Sequence, residues 1–204
     1  MDVYPYFASP IYREERPEWV EETLKHTQKY YEQTKEWLPD NAVVKQTGHM
    51  ANDPDLGYLA SYFRDKGVSI LKDQGYFTDE HEFYLSGMWG QEFECTGSNM
   101  LHVHGSSEIS GFYFLETPEG GSYPIFDDPR PGKKMSDLPS APSDQVTMAT
   151  PYIHFNNVVP GTMMFFNSWL PHMITASRSE QPTKFVHFIL IKFITLNIKH
   201  LKIK

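Results

Sequence analysis

A single cysteine, Cys95, stands among 204 residues, so neither an internal disulfide framework nor a thiolate-cluster metal site can form. No run of some 18 apolar residues exists, and no membrane-spanning helix is expected. Positive charge is scarce: 18 Lys and Arg against 26 Asp and Glu leave a net charge of -8. That balance argues against a nucleic-acid-coating role. The opening MDVYPYFASPIYREERPEW has no basic start followed by an apolar stretch, so no signal peptide is expected and a cytoplasmic setting is the default. What is present is 40% hydrophobic, 15% aromatic and 22% charged, the composition of one folded domain with a sizeable core.

The texture divides near residue 80. Tyr4 to Tyr12 is short and aromatic with two prolines, suited to an edge strand. Pro17 opens a charged stretch to Leu38; proline in a first helical turn, followed by Glu18, Glu21 and Glu22, predicts a surface helix. Its stripe is Val20, Leu24, Thr27, Tyr31 and Trp37. A second helix is predicted from Asp55 to about Lys72, with Leu56, Leu59, Phe63, Ile70 and Leu71 as its buried side; Gly67 weakens it. Beyond residue 82, short apolar runs alternate with turn residues. Candidate strands are 83–89, 100–104, 109–115, 123–126, 147–153, 162–166 and 184–193, a spacing that fits an antiparallel sandwich or barrel. Residues 127–144 are rich in Pro, Ser and charge and read as a long loop, a lid over a site. The organisation expected is one domain over 1–204: an N-terminal strand and helices (1–80), a β core (81–193) and a basic tail (194–204). That tail fits either a last strand or a loosely attached end.

The chemistry concentrates in Asn99-Met100-Leu101-His102-Val103-His104-Gly105. In a strand, i and i+2 share a face, so His102 and His104 project together, about 7 Å apart along the backbone. A third ligand must come from elsewhere, and His172, just beyond the apolar run that a Pro160-Gly161 turn feeds, is the candidate. Lys184 opens the apolar run Lys184–Ile191, where an unpaired ammonium would be costly; a carboxylate ligand would satisfy it. His187 alternates with Lys184, faces the other side and reads as a packed core histidine, as does His154. His26, His49, His81 and His200 read as solvated. Tyr113 alone of the Phe112–Leu115 stripe is a candidate to point toward the site.

Taken in order, Trp89, HVHGSSEISGFYFLETPEGGSYPIFDDPR, VVPGTMMFFNSWLPHMI and the Lys184 strand resemble the iron(II)/2-oxoglutarate-dependent oxygenase superfamily. More narrowly they are similar to a bacterial and phage group with H-x-H, S-G-x-Y-Y, D-P-R, P-x-x-G and S-W-L-x-H elements. The resemblance spans about residues 83–191. It implies a double-stranded β-helix, a cupin-like jelly roll, with the N-terminal helices packed on one sheet. It also implies Fe(II) on His102, His104 and His172, with Lys184 anchoring the far carboxylate of 2-oxoglutarate and Tyr113 beside it. Arg178 is a nearer cation, in a loop. His104 falls where most members carry Asp or Glu, and three neutral imidazoles leave the ion one positive charge richer than the usual two-histidine, one-carboxylate set. Asp127, Asp128 or Glu108 could supply that carboxylate instead. Arg130 and Asp127 are candidates to meet the substrate, with a structural salt bridge as the competing role.

The activity implied is hydroxylation of a substrate that the sequence does not name, using O2 and converting 2-oxoglutarate to succinate and CO2. Two other readings stay open: a three-histidine cupin-type dioxygenase that needs no oxo acid, and a non-catalytic jelly-roll module. No membrane or nucleic-acid partner is expected, and a homodimer is the assembly left open.

Overall fold

The computed structural model describes residues 2, 7–135, 138–141 and 146–193. In chain order the elements are β1 (Ile11–Glu15), α1 (Val20–Thr34), β2 (Val44–Gln46), α2 (Gly57–Asp73), β3 (Glu82–Phe93), β4 (Asn99–His102), β5 (Ile109–Glu116), β6 (Pro124–Asp127), a one-turn α3 (Pro131–Lys134), β7 (Tyr152–His154), β8 (Thr162–Asn167), β9 (His172–Ile174) and β10 (Thr183–Phe193). A larger sheet has the order β1-β8-β5-β10-β3-β2, a smaller one β4-β9-β6-β7, and neighbouring strands pair antiparallel throughout. This is the double-stranded β-helix that the resemblance implied. The basic tail (194–204) and the first three residues of the Tyr4–Tyr12 segment lie outside the described residues; the end of that segment enters β1.

Alternation along the large sheet builds two cores. Phe93, Phe112, Phe114, Met164, Phe166 and Phe185 face the small sheet, where Phe126, Leu170 and Ile174 meet them. Val186, Phe188, Leu190, Tyr113 and Met163 face the other way, onto α2. The five apolar positions expected on α2 are all buried, and Phe63 stacks on Phe188 at 4.0 Å. Gly67 has a packing reason: a Cβ there would lie 2.7 Å from Leu190 Cδ2, so its absence lets the helix settle on β10.

Helix α1 differs from expectation. It ends at Thr34, Trp37 is 52% exposed beyond it, and the buried positions are Thr23, Thr27 and Thr34. Their hydroxyls donate to the carbonyls of Trp19, Thr23 and Tyr31, satisfying themselves within the helix, which is why a polar residue can occupy the packed face. Strands β2 and β9, three residues each, are too short for periodicity to reveal, and the run expected at 147–153 pairs only as β7. Part of the loop expected over 127–144 is outside the described residues; before that part it holds the end of β6 and α3.

Candidate metal centre

Strand pairing assembles the histidines. His102 ends β4 and His172 begins β9, and the two are direct cross-strand partners. His104 continues past β4 with its backbone N–H donated to the Ser168 carbonyl at 2.9 Å. The ring centroids lie 4.4 Å (His102–His172), 5.0 Å (His102–His104) and 5.1 Å (His104–His172) apart. One nitrogen of each ring falls within 4.8 Å of the others. Among the described residues this convergent group contains three imidazoles and no carboxylate.

Hydrogen bonds orient two of the rings. His102 Nδ1–H donates to the Met100 carbonyl at 2.7 Å and His172 Nδ1–H to the Leu170 carbonyl at 2.9 Å. A carbonyl only accepts, so both rings carry their proton on Nδ1 and keep a lone pair on Nε2. His172 is 1% exposed and its Nε2 is buried without a hydrogen-bond partner. A buried acceptor left unpaired is costly unless something electrophilic meets it. Burial first, reinforced by the neighbouring histidines, lowers His172 to about 3 despite the Leu170 carbonyl that pulls it up; burial and then His102 lower His104 to about 4. At neutral pH these are neutral imidazoles with lone pairs ready, a donor set that fits a divalent transition metal such as Fe(II).

The surroundings are aromatic. Phe166, Phe112 and Phe126 lie 4.6, 5.8 and 6.0 Å from the His172 ring. His187 enters from β10. It is 3% exposed, its ring is 4.9 Å from that of His104 and 4.7 Å from that of Trp89, and the Trp89 Nε1–H is buried without a partner. The alternation of His187 with Lys184 was read correctly from the sequence, but the side that faces the site is that of His187. A lone histidine in an apolar strand gave no signal beyond this alternation.

Lys184 is therefore corrected. It lies on the helix-facing side of β10, its ammonium 3.0 Å from Glu116, 3.6 Å from Glu92 and 5.9 Å from the Tyr31 ring centre under α1. Two carboxylates of the chain itself satisfy the charge that the sequence offered to a ligand. Tyr113 is corrected by the same parity: it packs toward the helices and its hydroxyl donates to the Arg16 carbonyl at 2.8 Å. The inner faces of β5 and β10, carrying Phe112, Phe114, Phe185 and His187, hold no lysine or arginine. His154, read as a core residue, is exposed on β7.

The carboxylate candidates do not join the triad. Asp127 pairs with Lys134, and Asp128 takes a two-pronged bond from Arg130 at 2.9 and 2.7 Å. Glu108 is fixed through its backbone between Leu190 and Ser168. Arg178 is exposed, its backbone N–H bonded to the Gly120 carbonyl. Asp127 and Arg130 border a cleft of about 520 Å³ together with Ile11, Tyr152, Phe126 and Leu170. Leu170 and Phe126 also touch His172, so the cleft backs onto the histidine cluster.

The structure thus joins a double-stranded β-helix to three convergent imidazoles that could hold a metal ion. Residues 87–187 match the family described as "Putative 2OG-Fe(II) oxygenase", enzymes that depend on iron(II) and 2-oxoglutarate. No curated protein matches it. Similar solved structures include the alpha-ketoglutarate-dependent epimerase SnoN from nogalamycin biosynthesis, at TM-score 0.64 and 11% identity over 91% of this chain and 77% of that one. A prolyl-4-hydroxylase from Pseudomonas putida gives TM-score 0.58 and 10% identity over 90% and 93%. HygX from Streptomyces hygroscopicus, solved with nickel, 2-oxoglutarate and hygromycin B, gives TM-score 0.57 and 14% identity over 89% and 82%. At such identities these likenesses establish the fold.

Proposed function

We propose that this oxygenase binds its iron through His102, His104 and His172 and hydroxylates a small organic substrate as 2-oxoglutarate is decarboxylated. The observation that carries the reading is the buried, unpartnered Nε2 of His172 in a ring that converges with those of His102 and His104. Iron held there supplies activation of O2, with 2-oxoglutarate as the co-reductant, so that substrate, O2 and 2-oxoglutarate give hydroxylated product, succinate and CO2.

The chain's own contributions are positional. The Met100 and Leu170 carbonyls hold the His102 and His172 rings in the tautomer that leaves Nε2 free. Burial keeps His104 and His172 unprotonated, so no proton competes for their lone pairs. Phe112, Phe126 and Phe166 shut water out of the far side of His172. The cleft bordered by Asp127 and Arg130 is where substrate is placed, with Arg130 pre-oriented by Asp128. The far carboxylate of 2-oxoglutarate is held by groups other than Lys184.

The test is succinate formation by protein reconstituted anaerobically with Fe(II) and then given 2-oxoglutarate and O2. Succinate is expected from the wild type and absent from His172→Ala. Oxygen consumption on a substrate without 2-oxoglutarate would instead support the cupin-type dioxygenase, and no iron binding at all would support the non-catalytic module.

A further inference from the structure

Among the described residues, His187 is the one buried titratable side chain against the histidine cluster that the proposed ligand set does not use. Its two ring nitrogens have defined partners. Nδ1 lies 3.3 Å from the Gly111 carbonyl, and Nε2 lies 3.1 Å from Nε2 of His104. The carbonyl can only accept, so Nδ1 carries the proton. A neutral imidazole has one N–H, and the Gly111 carbonyl takes that of His187, whose ring is 3% exposed among Phe112, Trp89 and His104. His187 Nε2 is then a lone pair. Two lone pairs 3.1 Å apart repel, so the proton between the rings belongs to His104 Nε2, and the lone pair left on His104 is that of Nδ1.

We propose that His187 is a positioning residue that locks His104 into the Nε2–H tautomer, so that the metal is bound by Nδ1 of His104 and by Nε2 of His102 and His172. The inference rests on the ligand reading above and deepens it. The Met100 and Leu170 carbonyls fix two rings in one sense, and His187, fixed in turn by the Gly111 carbonyl, fixes the third in the opposite sense. A relay from a β5 carbonyl through β10 to the loop after β4 thereby ties the large sheet to the ligand set. Partners of this kind on metal-binding histidines are typically worth about 10- to 100-fold in metal affinity.

Two measurements test it. Long-range proton–nitrogen NMR on metal-free, 15N-histidine-labelled wild type reports each tautomer directly. His102, His172 and His187 are expected with the proton on Nδ1 and His104 with it on Nε2; an Nδ1–H tautomer at His104 overturns the proposal. Competition of Co(II) with a chromophoric chelator then compares variants whose fold is checked by circular dichroism. His187→Leu, which offers no acceptor, is expected to weaken Co(II) binding about 10- to 100-fold, and His187→Gln, whose amide oxygen reaches about as far as Nε2, to restore it to within about threefold. Wild-type affinity in His187→Leu overturns the proposal. So does an equal loss in both variants matching that of His104→Ala, which would make His187 itself a ligand. Should the wild type bind no Co(II), the ligand reading fails on its own, while the tautomer measurement still decides the inference.

Discussion

At the scale of single residues, burial sets the chemistry of the histidines. His104 and His172 are lowered to about 4 and about 3 from an ordinary value of 6.5, with burial the first cause in both. The sign of the pH effect follows. Between those values and 6.5 the unfolded chain binds more protons than the folded one, so acidification through that window favours unfolding. The metal-free protein is expected to lose on the order of 2 kcal/mol of stability through His172 between pH 7.5 and pH 5, and less through the partly exposed His104, where solvent screens the charge, read as a lower denaturant midpoint with a smaller loss in His104→Gln. An unchanged midpoint would contradict the burial of neutral imidazoles. Lys184 gives a second expectation. A charge-assisted bond to a cosubstrate carboxylate is worth about 1.5–3 kcal/mol, so loss of an anchor would raise the KM for 2-oxoglutarate roughly ten- to hundredfold. Because the ammonium is committed to Glu116 and Glu92 on the other face, Lys184→Ala is expected to leave that KM unchanged in a steady-state titration. The histidine triad was legible because i and i+2 in a strand share a face. Lys184 was misread because alternation says which residues share a face but not which face is inside, and an apolar strand buried on both sides gives no polar contrast to decide it.

At the scale of elements, turns and registers carry the site. The Pro160-Gly161 turn was visible in the sequence, and its cause is steric: Gly161 has φ of +98°, and a Cβ there would lie 2.6 Å from the Pro17 Cα. The same residue accepts from Arg16 N–H and donates to the Phe114 carbonyl, both at 2.8 Å, so it fixes β8 against its neighbours. Gly161→Ala is expected to lower stability by about 2 kcal/mol or more, measured by denaturant unfolding, because both the backbone angle and the packing resist it. Strand β9 was not legible. Three residues carry no period, and His172 was expected past a strand's end when it opens one. What the sequence supplied there was the chemistry of the residue, and the pairing of β9 with β4 supplied its place. The buried threonine face of α1 escaped for a related reason, since hydroxyls that bond to the helix's own backbone look polar in sequence and behave as packing residues in the fold.

At the scale of the whole molecule, two cores serve two ends. The helix-side core is aliphatic and aromatic and holds α2 to the sheet, while the inner core is dominated by phenylalanine and surrounds the histidines. The sheet spacing and the ordered elements were enough to foresee the jelly roll, because each short strand is bounded by turn residues. The position of the cleft was not foreseeable, since it is made where β1, β6 and the segment before β7 meet from distant parts of the chain. On the proposed reading the large sheet supplies rigidity and the small sheet supplies ligands. Anaerobic titration calorimetry with Fe(II) on wild type and on His172→Ala tests that division most directly. One ion bound per chain by the wild type and none by the variant is the result the account predicts; equal binding by both would contradict it.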